Sequence, residues 1–119
     1  MIHISKKYLR KNDIRICTHP DTVSPNGDNH NVYITAKRGH KSKVNVITHS
    51  PTFFGEPTEK FNKNPNISSK DKRPSRFSVP RWYSDKTVKE KPLKGTWRIS
   101  KSDRTKIKKF NKKYDNNYK

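Results

Sequence analysis

The apolar residues of this chain are few, and they alternate. Ile14 and Ile16 lie two apart, and the pattern runs on to Thr18. Val32, Ile34 and Ala36 repeat it, as do Val44, Val46 and Thr48, with Ile47 on the opposite face. Ile2 and Ile4 start a similar run at the N-terminus. β-branched residues at period two are the mark of strands with one buried face. Four strands are therefore expected in the first half. Lys37-Arg38-Gly39-His40-Lys41-Ser42 lies between the last two, and its glycine permits a tight turn. A hairpin with a basic tip is predicted there. His19 to His30 is rich in turn formers, including Asn26-Gly27, and reads as a surface loop.

Hydrophobic residues make up only 27% of the 119, and mean hydropathy is -1.27. The core of such a chain is small, and part of it is expected to be extended or disordered when alone. Residues 50–94 fit that description. Pro51, Pro57, Pro65, Pro74, Pro80 and Pro92 recur through them, with single aromatics between and no helical period. They read as an irregular arm that wraps the sheet or orders on a partner. Trp97 and Ile99 share a face in a short returning strand. Ser100 and Asp103 then resemble a capping box, with Ser102 as a competing cap. Ile107, Phe110 and Tyr114 follow at helical spacing. The expected fold is mainly β. It has four or five strands in a sheet or partly open SH3-like barrel, with a long arm and a basic C-terminal helix. Residues 1–49 and 95–119 form its body, and 50–94 its arm.

Charge sets the class of partner. Twenty-nine Lys and Arg stand against ten Asp and Glu, a formal net charge of +19. A compact body so charged repels itself, and a polyanion relieves that repulsion. A lysine-rich surface that merely reflects composition is the alternative. No apolar run is long enough for a signal peptide or a membrane span, so a cytoplasmic location and no membrane partner are expected. Cys17 is the single cysteine, which excludes an internal disulfide and suits a small buried residue. The Cys and His spacing suggests no zinc site, the carboxylates are too scattered for a two-metal nuclease, and no cofactor is implied.

Three groups could carry chemistry. Arg73, Arg76, Arg81 and Trp82 set guanidinium groups beside flat rings, a mix that suits phosphates and unpaired bases. The rings could equally anchor the arm to the core. Lys106, Lys108, Lys109, Lys112 and Lys113 on the helix can track a phosphate backbone, and Lys37, His40 and Lys41 add a basic hairpin tip. RNA is expected ahead of DNA. The third group is Arg38, Thr48 and His49. Metal-independent RNA cleavage needs proton transfer and a cation for the phosphorane charge. His49 suits the first, Arg38 the second, and Thr48 positioning. His3, His19 and His30 read as surface or loop residues.

The run Lys43-Val44-Asn45-Val46-Ile47-Thr48-His49-Ser50 resembles the strand ending in Ile-Thr-Ser of the MazF/PemK toxin family. That resemblance implies a small SH3-like barrel that cuts RNA without metal, using Arg and Thr or His side chains. Thr48 carries over by position and Arg38 by chemistry. Two other readings stand beside a toxin-type endoribonuclease: a non-catalytic RNA-binding or ribosome-associated protein, and an adaptor or inhibitor that binds an acidic protein surface.

Overall fold

The computed structural model describes residues 11–23, 27–67, 73–88 and 97–117. The expected strand at Ile2 and Ile4 lies outside them. Strand β1 covers Ile14–Ile16, β2 Asn31–Arg38 and β3 Lys41–Thr48. Five short strands follow: β4 Thr52–Phe53, β5 Glu56–Pro57, β6 Glu59–Lys60, β7 Arg76–Phe77 and β8 Arg81–Ser84. Helix α1 runs from Lys101 to Asn117. The fold is mainly β, an open antiparallel sheet with one C-terminal helix.

The β2–β3 hairpin is the centre. Arg38 pairs with Lys41 across a two-residue loop, where Gly39 takes φ +58°. Left-handed backbone at the first loop position suits glycine. A bulge at Thr35 breaks the alternation expected of Val32, Ile34 and Ala36. The Thr35 hydroxyl donates to the Lys43 carbonyl at 3.1 Å, and both Thr35 and Ala36 line the groove described below. Along its other edge β3 changes partner midway. Lys41–Val44 pair with β8, whereas Ile47 and Thr48 pair with β7. At the change Val46 N–H donates to Ser78 Oγ at 2.8 Å, and Ser78 N–H returns to the Val46 carbonyl at 2.9 Å. A serine hydroxyl thus stands in the ladder where no backbone carbonyl is available.

Both faces of the sheet are covered. Cys17, Val32, Ile34, Val44, Val46, Tyr83 and Val88 pack on one, and Cys17 forms an isolated bridge to Val88. Ile14, Tyr33, Ile47, Phe61, Phe77, Ile99 and Ile107 pack on the other, beneath α1. The described part of the expected arm is therefore built into the body. Phe61, Phe77 and Tyr83 are its anchors, and strands of two to four residues replace an irregular wrap. Beyond α1 and the sheet, Trp97 makes only a bridge to Asn66 rather than a strand.

Ser100 caps α1. Asp103 N–H donates to Ser100 Oγ at 3.2 Å, and Ser100 Oγ donates back to Asp103 at 3.0 Å. The fully buried Asp103 carboxylate also accepts from the backbone N–H groups of Asn62 at 2.7 Å and Lys63 at 3.0 Å. A reciprocal amide pair locks the helix on the sheet: Asn45 donates to Asn111 at 2.7 Å and Asn111 to Asn45 at 3.0 Å. Polar groups this deep cost stability unless paired, so the pair fixes one seating of α1 on β3.

Candidate nucleic-acid interface

A groove of about 400 Å³ lies between helix α1 and the β2–β3 hairpin. Lys11, Lys43, Arg104, Lys108 and Lys112 line this groove, and no carboxylate does. Arg104, Lys108 and Lys112 recur every four residues, so one stripe of the helix faces the groove. Tyr33 and Asn12 form part of the floor, the Tyr33 hydroxyl donating to Asn12 Oδ1 at 2.5 Å. Burial pushes the Tyr33 pKa up, against the pull of Arg104, so the phenol stays neutral.

The remaining helical cations lie on the opposite flank. Lys106, Lys109 and Lys113 line a separate cleft with Glu59, Phe110 and Tyr114. Lys106 Nζ also donates to Asn62 Oδ1 at 3.2 Å. The lysines expected to act as one surface are thus divided by the apolar stripe of Ile107 and Phe110.

Other predicted contacts are engaged in holding the fold. Lys37 is paired with the buried Asp85, which also accepts from Ser42 Oγ at 2.6 Å. Arg76 donates from Nε to Thr58 Oγ1 at 2.7 Å and from a terminal nitrogen to the Thr58 carbonyl at 2.9 Å, tying β7 to the link between β5 and β6. Arg81 donates to the Tyr83 hydroxyl at 2.9 Å. His40, Lys41 and Arg73 are exposed, as is Trp82, over whose ring the Arg38 guanidinium sits at 5.3 Å.

Arg38, Thr48 and His49 do not converge. Arg38 is at the hairpin tip, and Thr48 lies seven residues along β3 from its partner Lys41. At strand rise that is roughly 24 Å, too far for one phosphate to bridge. The far end of the hairpin instead joins His49 and Thr48 to His30. All three line a cleft of about 190 Å³ with Asn64, Ser75 and Trp97. His30 Nδ1 meets the Thr22 carbonyl at 2.6 Å, and His49 Nδ1 meets the Pro74 carbonyl at 3.3 Å. A carbonyl can only accept, so each ring carries its proton on Nδ1.

No protein-family model, curated protein or solved structure matches this chain. The site therefore rests on its geometry. His30 was hidden from sequence reading inside a turn-rich loop. The hairpin itself held the signal: pairing 31–38 with 41–48 sets the residue before β2 beside the end of β3. Among the described residues no three His, Cys, Asp or Glu side chains gather to hold a metal ion, and no helix is long and apolar enough to cross a membrane.

Proposed function

We propose that the protein binds RNA and seats the phosphodiester backbone in the groove between α1 and the β2–β3 hairpin. The observation that carries this reading is the groove's lining, five cations and no acid. Phosphates released from their counterions are the natural occupants of such a channel. The exposed Trp82 indole, across β8 from Lys43, offers a stacking face for an unpaired base, which favours single-stranded RNA over a duplex. A cytoplasmic location accords with an RNA partner. Fluorescence anisotropy with a single-stranded RNA dodecamer tests the proposal: binding at low salt should weaken steeply as salt rises. Affinity that ignores salt, or no binding at low salt, overturns it.

A second reading, a metal-independent endoribonuclease, is favoured by the meeting of His30, Thr48 and His49 in one cleft. With Nδ1–H of each ring committed to a carbonyl, proton exchange falls to Nε2. One imidazole would take the 2′-hydroxyl proton as the 2′ oxygen attacks phosphorus. The other, as imidazolium, would protonate the leaving 5′ oxygen as its bond to phosphorus breaks. The products are a 2′,3′-cyclic phosphate and a free 5′-hydroxyl. Cleavage should persist in EDTA and vanish in both His30→Ala and His49→Ala, with RNA binding retained. RNA left intact at micromolar protein removes this reading and leaves the first standing.

A further inference from the structure

A second cleft differs from the α1 groove in kind. It lies between the turn Pro20–Thr22 and β8, with a volume of about 460 Å³. Its walls carry three rings, His19, Trp82 and Tyr83, and two carboxylates, Asp21 and Glu56. Lys43 and Arg81 also line it and balance these carboxylates, so the cleft lacks the cation excess of the α1 groove. A carboxylate repels phosphate but accepts hydrogen bonds from the N–H edge of a base.

The polar groups here are held from several sides. Arg81 donates to the Tyr83 hydroxyl at 2.9 Å, and its guanidinium lies over Phe53 at 5.6 Å and Phe54 at 5.1 Å. Phe54 takes φ +51°, a left-handed backbone that costs a bulky residue about 1 kcal/mol or more, and its largely exposed ring lies edge-on to Phe53. Asp21 is held loosely by comparison. Its Oδ2 is 3.5 Å from Arg81, 3.5 Å from the Tyr83 hydroxyl and 3.7 Å from His19 Nδ1, all at or beyond the long limit of a hydrogen bond. Its acceptor capacity is only weakly spent. Tyr83 remains a neutral donor, because burial pushes its pKa up to about 12. Trp82 is 40% exposed at the mouth. Lys43 lines both this cleft and the α1 groove, so a backbone in the groove passes within reach of it.

Guanine is the RNA base that fits this set. Its Watson–Crick edge presents two adjacent donors, N1–H and N2–H₂, that match the two oxygens of a carboxylate. Its O6 and N7 accept from an Arg fork. Uracil flanks its single donor with two carbonyls, and adenine and cytosine set an amine beside a ring acceptor.

We propose that this cleft receives one unpaired guanine of the bound RNA, stacked on Trp82, with its donor edge on the carboxylates and its acceptors toward Arg81. The proposal rests on the RNA-binding reading. The test measures anisotropy with an all-uridine octamer and with octamers carrying one central G, A or C. The wild-type protein should bind the G octamer about tenfold more tightly than the others. Asp21→Asn combined with Glu56→Gln should bring the G-to-U affinity ratio to about one. Trp82→Ala, a change at an exposed position, should reduce that ratio without touching the Arg81 contacts. Equal wild-type affinity for all four octamers, or a G preference that survives the carboxylate variant, overturns this inference and leaves RNA binding in place. Failure to bind any octamer at low salt overturns both.

Discussion

Replacing Arg104, Lys108 and Lys112 together with Gln separates a built groove from a merely positive protein. Gln is nearly as good a helix former as Lys or Arg, and all three side chains are exposed, so α1 should stay folded. A single-stranded phosphate neutralised by a cation contributes roughly -0.7 to the slope of log affinity against log salt. Five groove cations then give a slope of about -3.5, and the two left in the variant about -1.4. A fourfold rise, from about 50 to 200 mM salt, should weaken the wild-type complex roughly 100-fold and the variant only about 7-fold. Lys106→Gln, Lys109→Gln and Lys113→Gln together remove the same charge from the other flank of α1. That triple should keep a slope near the wild-type value. The assay is anisotropy titration with one RNA across four salt concentrations. Equal slopes for the two triples would refute the reasoning, because charge would then act from anywhere on the surface.

Two further outcomes follow from buried groups. Asp103→Ala strips the cap from α1 and orphans the N–H groups of Asn62 and Lys63, which should cost about 3–5 kcal/mol in urea unfolding. A loss under about 1 kcal/mol would mean that the 62–63 turn does not depend on the carboxylate. Tyr83, 5% exposed, keeps its proton to about pH 12 when folded, whereas an unfolded tyrosine ionises near 10. The raised pKa contributes stability that is complete below about pH 10 and is lost as pH rises through 12, at most about 2–3 kcal/mol. Tyr83→Phe should therefore show a shallower loss of stability than the wild type over that alkaline window, as read by thermal melting at stepped pH; parallel curves would refute the linkage.

What the sequence disclosed depended on the length of each pattern. β1, β2 and β3 were legible because β-branched residues alternate along each, and α1 because Ser100, Asp103, Ile107 and Phe110 mark its cap and buried side. The strands from β4 to β8 were not. Runs of two to four residues carry no clear period, and their place is set by pairing, β7 and β8 with β3, β6 with β7, and β4 with β5, rather than by local preference. The candidate interface was half legible. Lysine on every flank of α1 announces a charged helix but hides which flank faces a groove, since that depends on the Asn45–Asn111 seating. Lys37, Arg76 and Arg81 looked like surface cations, yet Asp85, Thr58 and Tyr83 take them up as fasteners. The separation of Arg38 from His49 follows from the hairpin alone, since the two ends of an eight-residue strand cannot meet.

The partner change along β3 bears on how this chain meets copies of itself. With β2 on one side and β8 then β7 on the other, β3, one of the two eight-residue strands, is flanked along both edges. The outer strands of the main sheet, β1, β6 and β8, are two to four residues long among the described residues. A second chain seeking to add a strand finds no template longer than that, and like charge on both chains opposes the approach. A chain with so little apolar material keeps its most β-prone backbone in the middle of the sheet, an arrangement that works against cross-β growth at high protein concentration.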